Sequence, residues 1–303
     1  MIEWGLCCIF RGEPIRFRRA TAASLRSLPR PEQLRKLAAL IRSNAENLKR
    51  AFERCAELQI GAFRINSELL MLATHADAGY RLEELPEADT LQKLFDEARI
   101  RADRLGVRRS LHPDQFVVLN TPDPRVRANS RAELEHQFLL AELCGATEIN
   151  LHAGGVYGDK VAALDRLRRE IDTLPEPLRQ KLTLENDDRS YTPAELLPLC
   201  RELGIPFTYD VHHHRVNPDH LTIEEATRAA AETWRGRKIP PHVHLSSPQL
   251  PWSTPGDHRP HAGWIDPADF PECWRDMDLT VDVEAKEKEN AIAALRSALG
   301  PDF

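Results

Sequence analysis

The 303-residue chain contains no run of about 20 consecutive apolar residues, which excludes a membrane-spanning helix. Its start, Met1-Ile2-Glu3-Trp4, lacks the charged and apolar regions of a secretory leader. The six cysteines, Cys7, Cys8, Cys55, Cys144, Cys200 and Cys273, include no Cys-x-x-Cys pair. Four of them fall in apolar helix or strand patterns, as buried free thiols do in a reducing compartment, so a cytoplasmic location is expected. Excess positive charge is missing too. The 41 Lys and Arg against 47 Asp and Glu give a net charge of −6, leaving no global attraction to nucleic acid or acidic lipid. No internal repeat, low-complexity tract or domain boundary appears, and residues 1–303 read as one domain.

What is present is a regular alternation of strand and helix. Apolar residues at three-to-four spacing predict helices over 31–58, 88–105, 127–144, 159–173, 193–203, 222–235 and 286–299. Strands are predicted over 2–10, 60–65, 107–112, 147–152, 181–185, 206–211, 240–245 and 278–284. Gly106, Gly145 and Gly204 stand just past helix ends, and Thr192-Pro193 supplies a cap followed by proline at the first helical position. Eight strands with crossover helices predict an α/β fold, a (β/α)8 TIM barrel, in which all strand C-termini meet on one face. The irregular stretches 11–30, 66–87, 113–126 and 246–277 follow strand ends and so become loops on that face. The last of them leaves the seventh unit without a clear helix.

Metal-binding side chains sit at those same ends. Val107–Leu111 runs into His112, Glu148–Leu151 into His152, Leu182–Leu184 into Glu185, and Pro206–Tyr209 into Asp210. Pro241–Val243 runs into His244, and Leu279–Val283 into Glu284. A single histidine such as His75, His136 or His220 is ordinarily a surface or hydrogen-bonded residue. Six such residues in register at strand ends describe a metal cluster. With His213 and His261 the set mixes imidazole and carboxylate without thiolate, which suits Mn²⁺, Zn²⁺ or Fe²⁺. It exceeds what one ion takes, so two or three ions are expected, with phosphodiester chemistry the natural use. In Asp210-Val211-His212-His213, a continued strand would bring His212 to the face of Asp210, whereas a turn would bring His213 there.

A second signal is local charge. Between residues 11 and 36 stand Arg11, Arg16, Arg18, Arg19, Arg26, Arg30, Arg35 and Lys36, against only Glu13 and Glu32. In an acidic protein this reads as a track for a phosphate backbone, to which Thr21 and Ser24 would add neutral contacts. Phe10, Phe17 and Phe116 are candidate wedges or stacking platforms.

Eight ordered motifs carry a resemblance across almost the whole chain. They are FRINSELLMLATH (63–75), SLHPDQFVVLN (110–120), NLHAGGVYGDK (150–160), LTLENDDRSYT (182–192), GIPFTYDVHHH (204–214), HVHLSSP (242–248), HAGWI (261–265) and VEAKEKE (283–289). The sequence resembles the UV damage endonuclease family. The resemblance implies a metal-dependent endonuclease that nicks duplex DNA 5′ to ultraviolet photoproducts, leaving a 3′-hydroxyl and a 5′-phosphate, and acts as a monomer. It implies His112, His152, Glu185, Asp210, His213, His244, His261 and Glu284 as metal ligands, manganese as the favoured ion, and Glu185 as the bridging and catalytic carboxylate. His213 is thereby preferred to His212.

Departures from the family pattern concern the substrate side. His242 stands where the family usually has a lysine, two residues before a metal histidine, and inherits a catalytic assignment from that position. The pair probing the DNA stack, normally Gln and Tyr, is Gln115 and Phe116, and the lesion-holding residues of the first strand appear as Leu6 and Phe10. Gly263 replaces the usual aspartate. Gln115, Phe116, Leu6 and Phe10, with Arg11, Arg16, Arg18 and Arg19, make up the expected DNA- and lesion-binding set. An abasic-site endonuclease on the same barrel, or a sugar isomerase or epimerase on a related one, are the alternatives.

Overall fold

The computed structural model describes residues 1–301 and 303. Eight parallel strands close into a barrel in the order β1 to β8: Ile2–Cys7, Ala62–Ile65, Arg108–Leu111, Glu148–His152, Leu182–Glu185, Phe207–Asp210, His242–Leu245 and Leu279–Val283. The helices run α1 Ala22–Leu25, α2 Arg30–Glu57, α3 Ala88–Leu105, α4 Pro124–Cys144, α5 Lys160–Asp172 and α6 Glu176–Arg179. They continue with α7 Pro193–Leu203, α8 Val211–Val216, α9 Ile223–Thr233 and α10 Glu289–Leu299. This is the expected TIM barrel. Among the described residues no helix is long and apolar enough to cross a membrane.

The element order agrees with the sequence, and the boundaries move by a few residues. Every strand is shorter than expected, at one end or both, because parallel pairing stops where the loops diverge. Three short helices, α1, α6 and α8, escape detection, since four to six residues are too few to show a period. The seventh unit does lack a regular helix: residues 246–277 hold only 3-10 turns at Pro267–Asp269 and Glu272–Trp274. Gly106, Gly145 and Gly204 end α3, α4 and α7 with φ of +68°, +69° and +64°, the left-handed cap that glycine adopts freely.

Period-two alternation divides every strand between two environments. One face carries Ile149, Leu151, Leu182, Leu184, Val243, Val281 and Val283, which pack under the helices as the main core. The other face, inside the barrel, carries Arg64, Arg108, Glu148, Asn150, Thr183, Thr208, His242, Thr280 and Asp282, all buried. These are joined by hydrogen bonds: Thr208 to Thr183 at 3.0 Å, Thr183 to Asn150 at 2.8 Å, and Arg108 to Glu148 and Thr280 at 2.6 Å. The interior of this barrel is therefore polar and cross-linked by hydrogen bonds.

Gly5 makes room in that interior. It lies directly across from Asp282 in the β1–β8 pairing, and a Cβ there would overlap the Asp282 carboxylate. Gly5→Ala is expected to cost about 1–3 kcal/mol through overpacking, read as a lowered midpoint in denaturant unfolding. An unchanged midpoint would show that Asp282 can shift freely.

Candidate metal centre

Strand register brings the candidate ligands together. In the β4–β5 ladder His152 faces Glu185, and in the β6–β7 ladder Asp210 faces His244. Three groups of side chains lie with their ligand atoms within 4.8 Å of one another: His112–His152–Glu185, Glu185–Asp210–His213, and Asp210–His244–Glu284. Glu185 belongs to the first two and Asp210 to the last two, so the groups form one chain of sites. Glu185 Oε2 stands 3.0 Å from His112 Nε2, while its Oε1 stands 3.3 Å from His213 Nδ1 and 3.2 Å from His244 Nδ1. Glu284 Oε1 is 3.5 Å from His244 Nδ1, and its Oε2 is 3.5 Å from His261 Nδ1. His261 thus joins at the rim through Glu284. All eight predicted positions meet at one mouth.

The choice between His212 and His213 is made by α8. Asp210 caps that helix by accepting the His213 backbone N–H at 2.7 Å, so the chain turns immediately after the strand. The turn swings His213 to within 3.5 Å of Asp210 Oδ2 and leaves His212 buried behind it, beside Arg259.

Buried polar atoms test whether this set suits cations. Asp210 Oδ2, His244 Nδ1, and Nδ1 of His112 and His152 are buried without a hydrogen-bond partner. A buried carboxylate oxygen with no donor is costly, and Asp210 Oδ2 and His244 Nδ1, 3.9 Å apart, are facing lone pairs of the kind a cation relieves. The residues therefore fit a cluster of divalent ions. Burial would raise the Glu185 pKa, but the imidazoles of His244, His152 and His112 outweigh it and hold the carboxyl well below its usual range. Burial lowers His112 to about 4, keeping that ring neutral and able to ligate. For His213 burial is outweighed by Asp210 and Glu185, which raise its pKa well above the ordinary value.

Beneath the cluster lies a layer that sequence reading missed. Arg64, with a side chain only 9% exposed, reaches Asp282 Oδ2 at 2.9 Å, Glu284 Oε1 at 2.6 Å and His244 Nε2 at 2.9 Å. His242 lies between Glu148 Oε1 at 2.6 Å and Asp282 Oδ1 at 3.2 Å. Although burial disfavours its charge, Asp282 and Glu148 raise its pKa to about 9, and Glu148 falls to about 2 against its own burial through Arg108 and His242. His242, expected from the resemblance to take a catalytic role, is buried, and both its nitrogens face carboxylates of the barrel interior rather than the open mouth. His242, His244 and Asp282 also converge, but Arg64 already supplies the positive charge between the last two. The signal that would have revealed this layer is the period of two: Arg64, Glu148, His242 and Asp282 share a barrel face with the residue two positions on.

The substrate-side residues divide. Gln115 and Phe116 stand exposed after β3, and Phe116, at 78% exposure, lines a cleft of about 900 Å³ that also meets His112, Arg19 and Asn66. Arg11, Arg16, Arg18 and Arg19 are exposed on a loop whose backbone is held firmly. Asn44 bonds both Arg18 N–H, at 2.6 Å, and Arg18 C=O, at 3.0 Å, while Glu289 accepts the N–H groups of Arg11 and Gly12. The basic segment extends only to Pro29; Arg30, Arg35 and Lys36 belong to α2. Leu6 and Phe10 are corrections. Leu6 pairs with Phe63 on the helix-facing side of β1 and is fully buried, and Phe10 stacks on Phe63 at 6.0 Å. Neither presents a surface to DNA.

With this geometry in place, comparison with known proteins is decisive. The family profile described as UV-endonuclease UvdE matches residues 4–301. The chain belongs to the UvdE family. A relative named UV DNA damage endonuclease from Deinococcus radiodurans is 38% identical, covering 97% of this chain and 94% of its own length. Another of that name from Bacillus velezensis is 32% identical over 95% of this chain and 89% of its own. The crystal structure of SacUVDE superposes with a TM-score of 0.82 at 26% identity, covering 97% of this chain and 96% of that one. UvdE membership thus extends over the whole barrel, including both the ligand mouth and the basic loop.

Proposed function

We propose that residues 1–303 act as one metal-dependent domain, a monomeric endonuclease of DNA repair that nicks duplex DNA on the 5′ side of ultraviolet photoproducts, leaving a 3′-hydroxyl and a 5′-phosphate. The chain is an endonuclease by family, and the observation that carries the finer reading is the chain of three ligand groups linked through Glu185 and Asp210. His112, His152 and Glu185 would hold one divalent ion, Glu185, Asp210 and His213 a second, and Asp210, His244 and Glu284 a third, with His261 completing the rim. Mn²⁺ is the ion this reading favours, Zn²⁺ and Fe²⁺ being compatible with the same donors. Such ions supply a nucleophilic water near neutral pH and stabilise charge on the attacking and leaving oxygens.

The chain's own residues do the rest. Glu185, held ionised among three histidines, fixes the spacing of the sites. Arg64 and His242 keep Glu284, Asp282 and Glu148 charged and in place from below. Arg11, Arg16, Arg18 and Arg19 hold phosphates, and their clamped backbone lowers the entropy lost on binding. Gln115 and Phe116 enter the space left by bases that a photoproduct has already unpaired, where extrusion costs least. An exposed phenyl ring suits that insertion without a hydroxyl.

Chelation of the metals is expected to abolish nicking of an irradiated duplex, and added Mn²⁺ to restore it; nicking that survives full metal removal contradicts the reading. An undamaged duplex and an abasic duplex serve as comparisons. Preference for the abasic one would favour the second reading, which the burial of Leu6 and Phe10 keeps in contention. Arg18→Ala is expected to weaken binding across sequences and to reduce the slope of log K against log salt by about 0.9, the share of one phosphate contact. An unaltered slope would take Arg18 out of the interface.

A further inference from the structure

The long loop after β7 carries two exposed tryptophans, Trp252 and Trp264, that none of the roles above uses. Trp252 is 37% exposed, and its ring is tied down by a hydrogen bond and a stacked neighbour. Its indole N–H donates to Asp269 Oδ1 at 2.8 Å, and Asp269 is itself buried and fixed by Ser247 at 2.5 Å and by Arg215 through its carbonyl at 2.9 Å. One indole face lies against His258, the rings nearly parallel at 25° with centroids 5.1 Å apart. His258 is braced in turn by Pro251 C=O, 3.2 Å from its Nε2.

This pair is continuous with the metal mouth. The Trp252 centroid is 5.6 Å from that of His212, and His212 meets His261 edge to face at 5.0 Å. His261 is a rim residue of the cluster, beside Glu284. An aromatic surface two ring steps from the rim, rigid before any ligand arrives, is what a stacking platform for an unpaired base requires. Every base has a π-face, so such a platform is indifferent to sequence. The indole contributes little to the main core, and an exposed ring that is pinned rather than free is pre-organised for contact.

We propose that Trp252, backed by His258, stacks a nucleobase of the strand whose phosphate sits at the cluster, and so fixes that strand for the cut. The occupant is an unstacked base beside the nick, on the side of the β7 loop and away from Phe116. The proposal rests on the endonuclease reading, which the experiment tests separately. On a duplex with one photoproduct, Trp252→Ala is expected to raise KM about tenfold, with a smaller effect on kcat and unchanged metal content. Trp252→Phe, which keeps an aromatic face, restores most of that loss. In parallel, 2-aminopurine is placed one position at a time around the nick of the product duplex and bound to the wild-type protein. At one position its fluorescence falls on binding, and Trp252→Phe retains part of the quenching. A wild-type KM in Trp252→Ala, or no position quenched in the wild type, overturns the platform while nicking itself persists. If the wild type cuts no damaged duplex, the endonuclease reading falls and the platform with it.

Discussion

Replacing Glu185 with glutamine is expected to reduce nicking of damaged DNA by about a hundredfold to a thousandfold, with the barrel intact. The side chain is fully buried and belongs to two of the three ligand groups, so one neutralised carboxylate weakens both. Glutamine keeps the volume, and the Thr208–Thr183–Asn150 bonds that hold the neighbouring strands do not depend on the charge. The lost term is electrostatic: three imidazoles now surround an amide that can neither bridge cations nor attract them. Metal content by elemental analysis should fall together with activity, while the circular dichroism spectrum is retained. Wild-type activity in this variant would contradict the bridging role.

The second large effect concerns stability. Arg64→Leu removes the cation between Asp282, which is fully buried, and Glu284. Breaking a buried pair from one side leaves an uncompensated charge and costs about 3–5 kcal/mol, on the order of a 10 °C drop in Tm for a chain of this size. The pH dependence follows from Asp282. Its burial would raise the pKa, yet His242 and Arg64 hold it far below the usual carboxylate range. A depressed folded-state pKa contributes stability above the unfolded value of about 3.9, and that contribution is lost as the pH falls. The gap between wild type and Arg64→Leu should therefore be widest near neutrality and narrow below about pH 4. Arg64→Lys should recover only part of the loss, because an ammonium cannot span two carboxylates and a ring as a guanidinium fork does. A gap that stays constant from neutrality to pH 3 would show that packing, rather than charge, makes Arg64 matter.

The two layers of the barrel mouth differed in how legible they were. The outer layer stood out because each ligand ends an apolar run: Leu151 before His152, Leu184 before Glu185, Tyr209 before Asp210. The inner layer did not, because Arg64, Glu148, His242 and Asp282 sit within or at the start of strands, where a charge reads as an interruption. Asp282 interrupts the apolar run Leu279–Val283 in the sequence, and in the structure it is the carboxylate on which Arg64 and His242 both converge. Leu6 and Phe10 misled for the opposite reason. The resemblance placed them in the expected lesion-binding set, but Leu6, on the outer face of β1, is drawn under the helices, and Phe63 gives both it and Phe10, just past the strand, a partner there.

By itself the sequence determined the alternation of strand and helix, the parallel barrel it requires, and the histidines and carboxylates that gather at its mouth. Those follow from local periodicity and from the rule that parallel strands end on one face. Only the tertiary structure decided which histidine turns toward Asp210, which charges neutralise one another beneath the cluster, and which aromatics remain in solvent. Such outcomes depend on pairings between residues far apart in the chain, Arg64 with Asp282, Glu148 with His242, Trp252 with Asp269. A buried charge or a pinned ring is defined by what surrounds it, and that exists only once the barrel has closed.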